Sequence, residues 1–196
     1  MDAVKYLGVK ISKDLRWKAH ISHITAKANS TLGFIRRNID VNNPFLKAQA
    51  YKSLVRPILE YSQTVWDPYT ETETKQLEAV QRRAARMVLN RYRNTSSVGA
   101  MMTQLQWRPL AERRETARLV MFHKIHYQLV VVIMPLTIKT LTTSRRFNSL
   151  SYNIPSTRVD YYKDSFFPRT ARAWNLLPQE VVTLATPEAF RRALVA

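Results

Sequence analysis

The stretch from Leu77 to Arg93 constrains the fold of this chain more than any other part of the sequence. Its apolar residues recur at spacings of three and four, which is typical of one buried face of an α-helix. They are Leu77, Val80, Ala84, Met87 and Val88. Arginines occupy or flank the other faces, and Glu78 is the one acidic residue among them. The stretch therefore predicts a helix that buries one side and displays positive charge on the other.

Such a surface suits a phosphate backbone, because lysine and arginine neutralise phosphate charges and release bound counterions. The alternative is a solvated helix in a protein that is basic everywhere. The residues predicted to contact phosphate are Lys75, at the edge of the face, and Arg82, Arg83, Arg86, Arg91 and Arg93. Because no base-reading motif is present, we expect contacts to the backbone with weak sequence preference.

The composition indicates a cationic and mainly helical protein. The net charge of +17 is shared by both halves of the chain. It favours nucleic acid as a partner, with an anionic membrane surface as the lesser alternative. Only 3 glycines but 9 prolines, with little strand-like alternation, favour helices separated by proline-marked breaks. The absence of cysteine excludes disulfides and cysteine-ligated zinc.

The predicted fold class is mainly α, with a short N-terminal β-strand, a three-helix bundle and a helical C-terminal region. The strand covers residues 6–11 and has no partner strand before it. Helices are predicted over residues 20–39, 45–66, 77–93, 98–105, 110–127 and 187–194. Pro57 predicts a kink near residues 53–56, and a loop is predicted over residues 137–160.

Side-chain orientation follows from the same periodicities. In the 110–127 helix, Arg113, Arg114, Arg118 and Lys124 are predicted to face largely outward. Three sites place a basic residue near an aromatic ring that could stack on a base. These are Arg91-Tyr92-Arg93, Trp107-Arg108, and Arg172 near Trp174. For Trp66, Phe166, Phe167 and Trp174 a place in the core is the favoured interpretation.

No catalytic residue or metal site is predicted from this chain. The aspartates are scattered, and the closest pair, Asp160 and Asp164, falls in a predicted surface segment. His20 and His23, like His123 and His126, are spaced three apart on helices, but no HExxH spacing accompanies them. Neither a phosphate-binding glycine loop nor a GxSxG motif occurs.

The chain is predicted to be intracellular, in the nucleus or cytoplasm, and not secreted or membrane-bound. The first eight residues contain Asp2 and Lys5 and lack the apolar run of a signal peptide. The longest apolar run covers residues 129–136 and contains Pro135, so it is too short to span a bilayer.

Six phrases resemble, in order, the carboxy-terminal part of reverse transcriptases from non-LTR retrotransposons of the jockey and CR1 kind. The first two are Tyr6-Leu7-Gly8-Val9 and Trp17-x-x-His20-Ile21. The third runs from Tyr51 to Tyr61 (YKSLVRPILEY) and continues as Val65-Trp66-Asp67-Pro68. The others are Gln81 to Arg86 (QRRAAR), Leu105 to Arg114, and Ser165 to Thr170 with Trp174-Asn175-x-Leu177-Pro178. The match is poor over residues 127–150.

The resemblance implies three parts: residues 1–16 as the palm edge, 17–93 as the thumb, and 94–196 as a C-terminal region. Tyr6, Leu7 and Gly8 would correspond to the primer grip. The catalytic aspartates and their Mg²⁺ would belong to the missing palm, so neither cofactor nor polymerase activity is expected of this chain alone. Its expected partners are RNA, DNA or an RNA–DNA hybrid.

Two further hypotheses stay open. The chain is either a helical protein–protein interaction module whose charge serves solubility or an acidic partner, or a part that docks onto a separately made polymerase palm. An exposed apolar patch around Leu7, Val9 and Ile11 would favour docking, whereas a buried strand would favour an independent chain.

Overall fold

A computed structural model describes residues 3–39, 43–93, 95–138, 148–156 and 158–195. The chain divides into two compact units, Met1–Arg113 and Arg114–Ala196. The described residues are mainly helical, with a two-stranded antiparallel sheet near the N-terminus, which confirms the predicted fold class. Within the described residues, no helix combines the length and the apolarity that crossing a bilayer requires.

The N-terminal sheet is a β-hairpin of β1 (Ala3–Tyr6) and β2 (Val9–Ser12). Tyr6 pairs with Val9, so the chain reverses through Leu7 and Gly8 alone. Both turn residues have positive φ, 43° and 84°, as a type I′ hairpin turn requires. The prediction of one unpaired strand over residues 6–11 is therefore wrong, because that stretch contains the turn and the preceding residues supply the partner strand.

The helices of the first unit are α1 (Lys18–Asn38), α2 (Pro44–Ala50), a π-helical turn (Tyr51–Val55), α3 (Arg56–Glu60), α4 (Glu71–Leu89) and α5 (Val98–Gln104). Helix α1 packs against α4, against the π-helical turn and against α3. The apolar stripe of α1 lies in the resulting core: Ile21, Ile24, Ala28, Leu32 and Ile35 are buried, and Ile39 is partly exposed. A three-helix bundle with α5 added to it is the observed arrangement.

The continuous helical segment formed by α2, the π-helical turn and α3 changes its hydrogen-bonding pattern near Pro57, where the sequence predicts a kink. The Arg56 N–H bonds to the carbonyl of Tyr51, five residues back, which defines the π-helical turn. Proline has no N–H to continue the ordinary ladder. The extra residue in this turn shifts the buried face, so Val55 and Leu59 are buried while Leu54 is exposed. The helix ends at Glu60, so the predicted extension to residue 66 is wrong.

Helix α4 has a defined cap at each end. The Thr70 hydroxyl accepts a hydrogen bond from the Glu73 N–H at the start, and Glu71 and Glu73 lie in the first turn. Acidic residues there interact favourably with the helix dipole. At the other end Asn90 adopts a left-handed conformation with φ 52°. The helix therefore ends before Arg91, and its predicted extension to residue 93 is wrong.

Helix α6 (Leu110–His126) runs from the first unit into the second, which also contains α7 (Asp160–Lys163), α8 (Phe166–Asn175), α9 (Gln179–Val182) and α10 (Pro187–Ala193). Phe122, Trp174 and Phe190 are fully buried in the core of the second unit. Arg114 and Arg118 are buried too, so their predicted outward orientation is wrong. Polar partners distant in sequence can satisfy a buried arginine, and periodicity does not reveal them.

The predicted loop over residues 137–160 is partly described. Residues 139–147 and 157 lie outside the described residues. The part from residue 148 onward is irregular, yet it is held against α8. Asn148 donates to the Trp174 carbonyl at 2.9 Å, and the Tyr152 backbone exchanges two hydrogen bonds with the Asn175 side chain. Residues 150–152 therefore pack with the core, whereas residues 153, 155, 156, 158 and 159 are exposed, as predicted for a surface loop.

Replacing Leu7 by Asn is expected to raise the free energy of unfolding by about 0.5 to 1 kcal/mol, because asparagine tolerates positive φ better than leucine. The Leu7 side chain is 74% exposed, so little packing is lost. Urea unfolding followed by circular dichroism measures the change. Leu176→Asn is the matched control, since Leu176 is equally exposed at φ −89°. An equal effect of both substitutions would contradict the turn assignment.

His20 should make stability depend on pH. It is buried, and its Nδ1 accepts the Lys10 N–H at 3.2 Å. Burial, and then the charges of His23 and Lys10, lower the pKa of His20 to about 4. Between pH 6.5 and 4 the histidine is protonated in the unfolded chain but neutral in the folded chain. The free energy of unfolding therefore decreases as the pH is lowered, by up to about 1.4 kcal/mol per pH unit.

The contribution of neutral His20 is fully present above pH 6.5. Urea midpoints from pH 7.5 to 5, compared between the native chain and His20→Asn, test this expectation. Asparagine keeps an acceptor near the Lys10 N–H but does not titrate. The variant should show a shallower pH dependence, and an unchanged slope would assign the effect to other groups.

Candidate nucleic-acid interface

Gln81 sets which side of α4 faces the core. Its side chain is buried, with Oε1 accepting from the Tyr51 hydroxyl at 3.1 Å and Nε2 donating to the Arg108 carbonyl at 2.8 Å. The Tyr51 ring stacks on Trp107 with centroids 4.4 Å apart. Burial raises the pKa of the Tyr51 hydroxyl, which therefore stays a neutral donor. Because Gln81 is turned inward, the next two residues along the helix face outward.

The predicted phosphate-contacting arginines remain accessible. Arg82 and Arg83 are exposed on α4, and Arg86 is half-buried one turn later. Arg91 and Arg93 are exposed in the segment that follows the helix. Among the described residues, none of these five arginines forms a salt bridge with a carboxylate.

Two other charged residues of the helix are already engaged. Lys75 Nζ lies 2.7 Å from Glu71 Oε1 one turn earlier, so its charge is partly compensated at the edge of the face. Glu78 Oε1 accepts the Ala111 N–H at 2.8 Å, at the start of α6. The one acidic residue of the 77–93 stretch is thus directed toward a helix N-terminus and not toward the arginines.

A basic cleft lies between α1 and α4, with a volume of about 320 Å³. Its lining residues are Asn29, Leu32, Gly33, Arg36, Arg83, Arg86, Met87 and Tyr92. Leu32 and Met87 are buried and form an apolar floor, while the arginines are at its rim. Arg83 Nη1 donates to Asn29 Oδ1 at 3.0 Å. That neutral partner orients the guanidinium and leaves its charge uncompensated.

The structure separates the three predicted pairs of arginine and aromatic ring. Tyr92 is 49% exposed, and the Arg36 guanidinium lies 5.3 Å from its ring centroid. Trp107 is buried against Tyr51, and Trp174 is buried in the second unit. Of the three sites, Arg91-Tyr92-Arg93 alone offers a ring to a ligand. The favoured core interpretation of Trp66 and Trp174 is confirmed, and Phe166 and Phe167 pack at the edge of the core.

Tyr6, Leu7 and Gly8 lie at the hairpin turn. The Tyr61 hydroxyl donates to the Leu7 carbonyl at 3.1 Å. A Cβ added at Gly8 would approach the Tyr61 ring to 3.2 Å, so this glycine permits close packing as well as positive φ. Tyr6 and Leu7 are exposed. None of the three lines the basic cleft.

Within the described residues, no three acidic or histidine side chains form a group that could hold a metal ion. His20 is in the first core, edge-on to Trp66 at 4.8 Å. In the second unit, His123 Nε2 lies 2.7 Å from the Leu184 carbonyl and His126 Nδ1 lies 2.5 Å from the Tyr152 hydroxyl. Burial lowers the pKa of both His123 and His126, as expected of neutral core histidines.

Comparisons of the chain with protein-family models, with curated proteins and with solved structures found no match.

The sequence alone did not identify Arg36 and Asn29 as candidate site residues. Both belong to α1, far from the arginine-rich stretch in the chain. Arg36 lies off the apolar stripe of α1 and is exposed. Its position along the helix does not reveal that it lines a cleft with residues of α4.

Replacing Arg82, Arg83 and Arg86 together by Gln is expected to change the free energy of unfolding by less than about 1 kcal/mol, since surface substitutions are usually near neutral. Gln81→Ala should cost about 2 to 3 kcal/mol, because it leaves the buried Tyr51 hydroxyl and Arg108 carbonyl without their partner. Urea unfolding of both variants measures the contrast. A large loss in the triple variant would mean that these arginines are structural.

Proposed function

We propose that this chain binds the phosphate backbone of nucleic acid through the arginine face formed by α4 and the segment after it. The main support is that five arginines are accessible and form no salt bridge with a carboxylate of the described residues. They are Arg82, Arg83, Arg86, Arg91 and Arg93. Concentrated charge of this kind attracts a polyanion by counterion release. The net charge of +17 adds a long-range attraction.

The helix that carries this face is rigidly placed, which supports the proposal. Its opposite side is in the core from Leu77 to Val88, and Gln81 fixes its rotation. A preorganised row of arginines loses less conformational freedom on binding than a flexible basic tail would. The binding we propose is therefore a property of the folded unit and not of charge alone.

The family proposal rests on the six ordered phrases of the sequence. We propose that the chain derives from the palm edge, thumb and C-terminal region of a non-LTR reverse transcriptase. The thumb of such an enzyme is a helical bundle packed against the template–primer duplex, so an RNA–DNA hybrid is the ligand to test first. Any Mg²⁺ would belong to the palm, and we propose no polymerase activity for this chain by itself.

Docking to a protein partner is the second candidate, favoured by a specific feature of the hairpin. Val4, Tyr6 and Leu7 are exposed on it. The patch differs from the one that the sequence suggested, because Val9 is buried and Ile11 packs against the core. A partner here would be an apolar protein surface, such as a polymerase palm supplied as a separate chain, whereas an acidic partner would use the arginines instead.

The experiment is fluorescence anisotropy with a blunt RNA–DNA hybrid across a salt series, comparing the native chain with the Arg82/Arg83/Arg86→Gln variant. Each lost phosphate contact should reduce the slope of log K against log salt by about 0.9, so the total decrease should approach about three units. The matched control replaces Arg158, Arg191 and Arg192, which are exposed in the second unit, and removes the same charge.

The control variant should bind the hybrid with a nearly unchanged slope. Equal losses in both variants would show that the attraction follows net charge and would reject the arginine face. An acidic polypeptide of equal charge is the competing ligand. If it binds as tightly as the hybrid and loses binding at the same salt, the protein-interaction candidate replaces the nucleic-acid proposal.

A further inference from the structure

The cleft between α1 and α4 has features that a flat backbone-binding face does not need. It combines an apolar floor, Leu32 and Met87, with arginines at its rim and a half-exposed aromatic ring at Tyr92. Backbone contacts alone require only the positive charge. The apolar floor and the Tyr92 ring can pack against a flat, uncharged chemical group that is attached to an anionic group.

The arginines of the cleft are arranged to receive an anion. Arg36 comes from α1, while Arg83 and Arg86 come from α4, so the charges converge from two helices. Arg83 is oriented by the Asn29 amide and Arg36 by the Tyr92 ring, both of which are neutral partners. Guanidinium groups held in this way keep free N–H donors for phosphate oxygens.

Gly33 is the second and independent observation. It lies inside α1, where glycine destabilises a helix by about 1 kcal/mol relative to alanine. It lines the cleft, and among the described residues a Cβ added there would meet the flexible end of Arg37 alone, at 3.3 Å. Packing against another element therefore does not explain the missing side chain. A ligand that approaches the helix backbone closely would explain it.

We propose that this cleft binds one unpaired nucleotide of a nucleic acid strand, with the phosphate on Arg83 and Arg86 and the base against Tyr92. The volume of about 320 Å³ is in the range of small-ligand pockets. The ring is sequence-tolerant, because every base has a face that stacks. This inference rests on the proposed nucleic-acid binding and adds to it a preference for a duplex that carries an unpaired end.

The test compares three labelled RNA–DNA hybrids that share one duplex: blunt, with a three-nucleotide unpaired end, and with the same end made abasic. The full chain should bind the unpaired end about tenfold more tightly than the blunt hybrid, as one stacked base would give. The abasic end keeps its phosphates but lacks bases, so it should bind within about twofold of the blunt hybrid.

Two variants locate the preference. Gly33→Leu fills the cleft without changing charge, and Tyr92→Leu removes the ring. Each should bring the affinities for the unpaired and blunt hybrids within about twofold of each other. Tyr161→Leu, at an exposed tyrosine of the second unit, is the matched control and should keep the preference. Circular dichroism checks that each variant is folded, and Tyr92→Leu decides the result if Gly33→Leu is not.

The outcomes separate the two proposals. Blunt-hybrid binding that depends on the α4 arginines, without any preference for the unpaired end, would overturn the nucleotide cleft alone. The same would follow if the preference persisted in a folded Gly33→Leu or Tyr92→Leu variant, or equally with the abasic end. If none of the hybrids shows binding that depends on the α4 arginines, the proposed function is overturned as well.

Discussion

The buried amide of Gln81 is the interaction on which the arrangement of the first unit depends. It joins α4 to the π-helical turn through Tyr51 and to the start of α6 through the Arg108 carbonyl. A buried amide that lost these partners would cost far more than an exposed one, so the geometry is strongly specified. The same interaction presents Arg82 and Arg83 to solvent, and in this way a core contact determines the orientation of the basic face.

A second set of polar contacts closes the unit around the same point. The Glu60 carboxylate, at the end of α3, accepts two hydrogen bonds from Arg113 of α6 and forms a salt bridge with Arg56 of its own helix. This pairing raises the pKa of Arg113 above its usual value, chiefly through the hydrogen bond to Glu60. Charged residues of the LVRPILEY phrase are therefore structural, whereas in the QRRAAR phrase Arg82 and Arg83 are exposed and Arg86 is half-buried. A similar-looking basic phrase can thus serve either folding or binding, depending on whether a carboxylate faces it.

The longest helices, α1, α4 and α6, were predictable because their apolar stripes are long and regular. The short helices α7 and α9 and the ten-residue α8 were not predicted. The extents predicted for α1, α5, α6 and α10 agree with the structure to within about two residues at each end. Short-range backbone chemistry decided the cases that failed. The hairpin depends on Gly8 at positive φ, the π-helical turn redirects the face of its helix, and Asn90 ends α4 early. In α6 the buried face includes two arginines, which no hydrophobic pattern would place inside.

The sequence by itself determined that α4 would be amphipathic and that its polar side would be basic, because both properties depend only on spacing along one helix. Tertiary structure alone decided which arginines would be accessible without a carboxylate partner among the described residues, and which aromatic ring would remain accessible. Arg36 and Arg83 line the same cleft because α1 and α4 pack together, although the two residues are far apart in the chain. Convergence of this kind depends on helix packing and side-chain burial, and a one-dimensional pattern does not contain that information.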